Sequence, residues 1–306
     1  MSESIKEKPD SFASPVQLPG TPDEAEEWQK NNRDWWEKNP MRYDWKSSIP
    51  HEKFSREFFN EIDGRFFSAA GEYLDPHASI PFDEFMDLES LKDKDVLEIG
   101  VGNGSHAQLL AQHSKSFTGV DITGYAVEST RARMKVFGLK GDIEKMDAEK
   151  LGFDDGSFDF IWSWGVIHHS ANTPNVLREI RRVLRPGGKA VIMVYYRGWW
   201  NYYICGTLEG LVSGNLLKTE SLNKSVQLHT DGALARYYSK QDWFRVAKPL
   251  FGKVSVSTCG PKSDIIPLPA GKLKNFVSSL LPLSLSRFLT GDLDMGGFLV
   301  SRLEKD

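Results

Sequence analysis

The segment Val96-Leu97-Glu98-Ile99-Gly100-Val101-Gly102-Asn103-Gly104-Ser105 constrains the fold more than any other stretch of the chain. Its apolar run reads as a buried strand, its alternating glycines as a tight turn, and Ser105 or a neighbour as the start of a helix. Glycines let a ligand come close to the main chain, and a helix that opens there turns unpaired N–H groups toward it. A dinucleotide fingerprint spaces its glycines as G-x-G-x-x-G. Here the third glycine comes one residue early, giving Glu98-x-Gly100-x-Gly102-x-Gly104, which disfavours NAD. Asp121 ends the next predicted strand, 21 residues past Gly100, where a carboxylate can accept hydrogen bonds from both hydroxyls of a ribose. The spacing therefore predicts a nucleoside ligand, and the same acid argues against a 2′-phosphorylated one.

Around this segment, short β-rich runs alternate with helical stretches, the texture of βαβ units and a mainly parallel sheet. Strands are expected at Asp95–Ile99, Ser116–Val120, around Lys140–Ile143, at Phe158–Ser163 and at Lys189–Tyr195. A helix over Pro174–Leu184, capped by Thr173, carries Val176, Leu177, Ile180, Val183 and Leu184 as its apolar stripe, with Arg178, Arg181, Arg182 and Arg185 on a solvated face. The fold class is thus α/β: a Rossmann-like, seven-stranded, mostly parallel sheet with helices on both faces and helical cap insertions. The expected organisation is a flexible tail over 1–20, a helical cap over 21–93, a ligand-binding core over 94–196, a cap insertion over 197–238, and the rest of the core sheet over 239–306, itself interrupted at 260–292. In the first cap, Thr21, Pro22 and Glu24 open a helix that should run to about Lys38, and Phe54, Phe58, Phe59, Ile62, Phe66 and Phe67 recur at helical intervals. In the last part, Ser239 and Asp242 cap a helix, Lys253–Thr258 reads as a strand, and so does Gly297–Leu303.

Lys and Arg number 38 against 42 Asp and Glu, a formal charge of -4, which supplies none of the counterion release on which nucleic-acid binders depend. Cys205 and Cys259 are too few for a disulfide scaffold and lack the spacing of a zinc site, so reduced thiols and no metal are expected. The charged first residues and the lack of a long apolar run predict neither a signal peptide nor stable membrane insertion, and a cytoplasmic location. The Leu-rich stretch Phe276–Leu289 could touch a lipid surface, but Pro282 interrupts its period and cap packing is the favoured reading.

The glycine turn and Asp121, with Met146-Asp147-Ala148-Glu149, Phe153-Asp-Asp-Gly-Ser-Phe158-Asp159, Gly165-Val-Ile-His168-His169 and Arg182-Val-Leu-Arg-Pro-Gly-Gly188, resemble the class I S-adenosylmethionine-dependent methyltransferases. The likeness is strongest over Asp95–Tyr195 and points to the bacterial small-molecule group that includes ubiquinone and menaquinone methyltransferase relatives. It implies S-adenosylmethionine as cofactor and S-adenosylhomocysteine as product. Gly100, Gly102 and Gly104 would shape the turn around methionine and ribose, and Glu98 would organise that loop. Asp121 would hold the ribose, Asp147 would face the adenine amino group, and the Ala148 N–H would reach an adenine ring nitrogen. Ser163 and Trp164 would line the methionine end, and Tyr43 would fold over the cofactor from the N-terminal segment.

Methyl transfer from a sulfonium is an in-line displacement in which positioning can supply most of the acceleration. An acceptor hydroxyl, thiol or acidic carbon also needs a base, and His168, beside His169 at a strand end, is the candidate; the alternative is that the His-His pair orders its loop. Two aromatic clusters lie where the acceptor cap is expected: Trp35, Trp36, Tyr43 and Trp45, and Trp199, Trp200, Tyr202 and Tyr203. The leading reading is methyl transfer to a small, partly apolar acceptor at O, N, S or C. The alternatives are methylation of a protein or other macromolecule, and a non-catalytic cofactor-binding protein. A nucleic-acid substrate is opposed by the charge and by Ser-Trp-Gly-Val after the fourth strand. Oligomeric state is not legible.

Overall fold

Side-chain alternation along buried strands generates two apolar layers, one on each face of a central sheet. The computed structural model describes residues 12–44, 47–268 and 271–306. Its strands are β1 (Asp95–Ile99), β2 (Ser116–Asp121), β3 (Asp142–Lys145), β4 (Phe158–Trp164), β5 (Leu184–Tyr196), β6 (Tyr237–Tyr238), β7 (Lys253–Cys259) and β8 (Phe298–Glu304). The helices are α1 (Pro22–Lys38), α2 (Arg56–Ala70), α3 (Asp83–Met86), α4 (Ser105–His113), α5 (Gly124–Phe137), α6 (Thr173–Val183), α7 (Gly206–Val212), α8 (Asn215–Thr219), α9 (Leu222–Leu228), α10 (Lys240–Ala247), α11 (Lys272–Leu280) and α12 (Leu283–Arg287).

The sheet order is β3-β2-β1-β4-β5-β8-β7, parallel from β3 to β5, with β8 antiparallel to both of its neighbours. These are the seven expected strands; the eighth, β6, pairs with the end of β5 through Tyr195↔Tyr237 and Tyr196↔Tyr238. Val96, Phe160, Trp162, Val191 and Met193 face one layer, which α2, α3 and α4 cover with Phe66, Phe82, Met86, Ala107 and Leu110. Leu97, Ile99, Ile161, Ile192 and Val194 face the other, covered by Val176, Leu177 and Ile180 of α6 and Trp243 of α10. Chain order reverses between β1 and β4, so the crevice at their carboxyl ends is the place where such sheets receive ligands.

The helix signals translate into local hydrogen bonds. The Thr21 side chain accepts from Glu24 N, Ser55 from Phe58 N, and Ser239 with Asp242 forms a reciprocal capping box. The cap of α6 falls one residue before the expected site: Asn172 accepts from Asn175 N, while Thr173 is already helical and donates its hydroxyl to Ile167 O. The following Leu184-Arg-Pro-Gly-Gly stretch belongs to β5, where Leu184 pairs with Phe158.

Three expectations need correction. Within the expected tail, Phe12–Gly20 packs onto the fold: Phe12 sits edge-on to Trp28, Pro15 O accepts from Tyr237 N, and Gln17 O accepts from the buried Arg236 guanidinium. Of the arginines expected on a solvated helix face, Arg181 and Arg182 of α6 and Arg185, which falls in β5, are clamps. Arg182 binds Glu179, Asp155 and two carbonyls, Arg185 joins Asp95 to Asp159, and Arg181 binds Leu250 O and Asp306. The first part of the stretch Phe276–Leu289 is not packed away, since α11 has no buried residue, while Ser286 of α12 is buried. Trp45 lies outside the described residues. Both cysteines are free, and no helix among the described residues is long and apolar enough to cross a membrane.

Candidate functional site

A cavity of about 350 Å³ lies over the carboxyl ends of β1, β2 and β4. Its wall includes Glu98, Gly100, Gly102, Asp121, Asp147, Ala148, Trp164, His169 and Tyr43, drawn from separate elements of the sheet and its N-terminal cap.

The glycine turn works through its backbone. Gly100 and Gly102 have φ of 85° and 54°, a region that residues bearing a Cβ rarely enter. A Cβ on Gly100 would stand 2.3 Å from a Val166 methyl, whereas one on Gly102 would meet no protein atom within 4 Å. The first glycine is thus needed for packing, and the second leaves bare backbone beside open space. Gly104 follows as the left-handed N-cap of α4. The turn is held from the cap side by Arg133, fully buried, which donates to Asn103 O at 2.7 Å and pairs with Asp63 of α2 at 2.7 Å. Asn103 Nδ2 in turn donates to Met41 O at 2.7 Å.

Asp121 ends β2 facing this turn. Its carboxylate accepts from Thr123 N at 2.9 Å, Thr123 Oγ1 at 2.8 Å and Gly102 N at 3.2 Å. Burial nevertheless raises its pKa above the ordinary carboxylate value, against the lowering effect of those donors. Glu98 shows the same effect more strongly. Burial pushes its pKa well up, the negative Asp121 adds to this, and its Oε2 is buried with no hydrogen-bond partner. A buried, unpartnered carboxyl oxygen beside a bare glycine backbone fits a ligand that brings its own donors.

The adenine end expected from sequence is covered by α1. Gln29 donates to Asp147 Oδ1 at 2.8 Å and accepts from Ala171 N at 2.9 Å, so one side chain ties the roof to both rims of the cavity. Glu37 accepts from Gly124 N at 2.6 Å and Tyr125 N at 2.9 Å, where the positive end of α5 begins. Trp36 meets the His169 ring edge-on at 5.0 Å.

At the opposite end the wall is aromatic: Tyr43, Phe66, Tyr73, Trp164, Tyr195 and Phe298. Trp164 stacks on the fully buried Trp162 at 5.2 Å, and Tyr73 meets Phe298 edge-on at 5.5 Å. Tyr43 lies on Phe66 at 5.2 Å with a positive φ of 56°, and burial raises its phenol pKa. His106, on the first turn of α4, also reaches this end. Its Nε2 is buried without a partner, its Nδ1 lies 3.8 Å from Glu98 Oε1, and burial lowers its pKa to about 3, so its ring is neutral.

Two residues read from sequence stand behind the wall. Ser163 is fully buried and donates to Ile99 O at 3.1 Å. His168 is fully buried against Tyr195, at 4.0 Å between rings, and both of its nitrogens lack a hydrogen-bond partner. Burial drives its pKa well below the usual histidine value. Its neighbour His169 lines the cavity instead, with Nδ1 2.6 Å from Leu234 O, an arrangement for which Gly232 leaves the room. Gln29, Glu37 and His106 carry no signal in the sequence that sets them apart from ordinary helix residues, whereas Trp36 belongs to the expected aromatic cluster. Among the described residues no cluster of metal-ligating side chains occurs.

Residues 97–192 match the family model described as a methyltransferase domain. The phthiotriol/phenolphthiotriol dimycocerosates methyltransferase of Mycobacterium tuberculosis is 38% identical over 100 residues, 32% of this chain and 36% of that protein. The 27-O-demethylrifamycin SV methyltransferase of Amycolatopsis mediterranei is 34% identical over 104 residues, 32% of this chain and 37% of that one. The matches thus span little more than a third of these curated relatives. A chain from the solved complex of the Haloferax volcanii Trm112 methyltransferase activator shares the fold, with a TM-score of 0.50 at 17% identity over 81% of this chain and 98% of that chain. Residues 97–192 of the core are therefore similar to a methyltransferase domain.

Proposed function

We propose that this chain transfers a methyl group from S-adenosylmethionine to a small, largely apolar acceptor. One observation carries the reading: a single cavity joins the polar cradle of Asp121, Asp147 and the glycine turn to the aromatic chamber around Tyr73, Trp164 and Phe298. When bound, the cofactor supplies an electrophilic methyl group on a sulfonium.

In this reading Asp121 holds the ribose hydroxyls, while Asp147 and the Ala148 N–H read the adenine. The bare backbone at Gly102 and the unpartnered Glu98 oxygen receive the methionine portion. Trp164 bounds the methionine end from β4, and Tyr43 encloses it from the cap. The α1 roof, through Gln29 and Glu37, excludes water and fixes the distance between donor and acceptor, which is where positioning gains most of its effect. The aromatic chamber selects an acceptor with apolar surface and offers ring faces to positive charge.

Where the acceptor must lose a proton, we assign its removal to His169, which is in the wall, and not to His168, which is behind it. A Nδ1–H donated to Leu234 O leaves the lone pair of the neutral ring on Nε2, the tautomer a general base requires. The neutral His106 is placed to orient the acceptor by hydrogen bonding.

The test is calorimetric titration with the donor, followed by incubation of the protein with methyl-labelled donor and a metabolite extract. Saturable donor binding with label appearing in small apolar products is expected. Label confined to protein would turn the reading to a macromolecular substrate, and an absence of donor binding would remove it.

A further inference from the structure

The exposed apolar surface of this protein is not scattered. Of the fifteen large apolar side chains exposed among the described residues, all but Leu18 lie between Trp199 and Leu293, in the two cap insertions. The clearest element is α11, whose sequence Lys-Leu-Lys-Asn-Phe-Val-Ser-Ser-Leu places Leu273, Phe276, Val277 and Leu280 within an arc of about 100° at helical spacing. A stripe of this kind ordinarily faces a core. Here it faces out: Leu273, Phe276 and Leu280 are 64%, 60% and 66% exposed. The side turned to the protein is instead the one that carries Lys274 and Ser278, which are only partly exposed.

The shelf is continued by Leu285 of α12, Phe288 and Leu293, and by Trp199, whose indole donates to Leu293 O at 3.0 Å. The 3-10 turn Lys262–Ile265 is in contact with α11, α12 and both π-helical turns, Trp199–Cys205 and Phe288–Asp292, so these surfaces are joined through it.

We infer that this shelf docks on an anionic phospholipid surface. Charge identifies the occupant. From Ile265 to Gly291 the chain contains Lys272, Lys274 and Arg287 and no acidic residue, in a protein whose net charge is -4. Arg287 is engaged by Asp75 and Glu84, and Lys274 is on the side of α11 turned to the protein, but the exposed Lys272 borders the apolar arc. An exposed cation bordering an apolar arc suits a helix lying in the plane of a lipid interface, with the lysine stem along the acyl boundary and its ammonium group at the phosphates. A second copy fits less well, because a two-fold contact through α11 would bring its lysines toward their own duplicates. The chain's first eleven residues offer only Met1 and Ile5 as large aliphatic groups, too few to cover the stripe. The docking is peripheral, since no described helix is long and apolar enough to span a bilayer.

The experiment is co-sedimentation of the full chain with phosphatidylcholine vesicles, with and without phosphatidylglycerol. Binding to the mixed vesicles that weakens with added salt is expected. Phe276→Asp should lower the partition coefficient by about tenfold or more, and Lys272→Gln by about fivefold, the usual effect of one charge near such a surface. Both side chains are exposed, so unchanged melting and donor binding in the variants verify folding and keep this outcome separate from that of the methyl-transfer reading. No sedimentation with either vesicle, or equal sedimentation of wild type and Phe276→Asp, overturns the inference. So does a concentration-dependent dimer that Phe276→Asp dissociates while vesicles bind neither form.

Discussion

Replacing Asp121 by Asn probes the cradle with little change of shape. The native carboxylate receives three donors from the protein, two on Oδ1 from Thr123 and one on Oδ2 from Gly102 N. An Asn oxygen can keep the Thr123 pair, but its NH₂ then faces the Gly102 N–H, donor against donor, and the remaining acceptor capacity toward a ribose is lost. Hydrogen bonds to a charged group contribute about 1.5 to 3 kcal/mol, so donor affinity should fall by roughly 10-fold to 150-fold. Stability should change little, because the cost of the opposed Gly102 N–H is set against the relief of a buried charge. Burial raises the Asp121 pKa above 3.8, so the folded state favours its neutral form. The stability linked to that form is present below pH 3.8 and is lost as pH rises through the folded-state pKa, and an Asn does not incur that loss. Calorimetry for affinity and thermal melting for stability separate the two effects. An Asp121→Asn protein that binds donor as tightly as wild type, or whose melting collapses, would refute this reasoning.

Three further outcomes are expected. Glu37→Gln removes the charge that caps α5 and holds the roof, so melting should show a loss of about 1 kcal/mol, and stopped-flow mixing should show faster donor dissociation. With an acceptor that must lose a proton, His169→Ala should reduce kcat by about 100-fold or more with donor Kd little changed, while His168→Ala should lower the melting temperature and spare turnover per folded molecule. Asp264, held by Gly297 N at 2.7 Å, has its pKa raised by burial to about 7. Its contribution to stability is full below pH 3.8 and is lost as pH rises toward about 7, so Asp264→Asn should flatten that part of the pH profile in denaturant titrations.

The centre of the sheet was legible because β4 and β5 carry nearly continuous apolar runs between turn signals, and β1 falls over Asp95–Ile99 as read. The first helix was equally legible, since Thr21 and Pro22 at one end and Pro40 beyond the other leave little choice of limits. Asp121, Asp147, Gly100 and Gly102 share the cavity wall because each sits at a strand end or in a turn fixed by local spacing, while Gly104 caps α4 against Thr130 and Arg133 and is not part of that wall. The errors concern which way a side chain points. Neighbours on a strand face opposite sides, so Trp164 lines the cavity and Ser163 binds Ile99 O behind it. In the 3-10 turn Ile167–His169 the two histidine rings stay 4.1 Å apart, yet only His169 reaches the cavity wall. Gln29 and Glu37 meet the core through hydrogen bonds that span 118 and 142 residues of chain for the first and 87 and 88 for the second, which no local pattern encodes. The α11 stripe misled for another reason: helical periodicity reports that a face is apolar, not what covers it.

The most direct measurement is a crystal structure of the protein grown with S-adenosylhomocysteine. Density should fill the cavity beneath α1, with the ribose hydroxyls on the Asp121 carboxylate, the adenine beside Asp147, and the sulfur turned toward the chamber of Tyr73, Trp164 and Phe298. A nucleoside seated elsewhere, or a cavity that closes with no room for one at saturating ligand, would contradict the account.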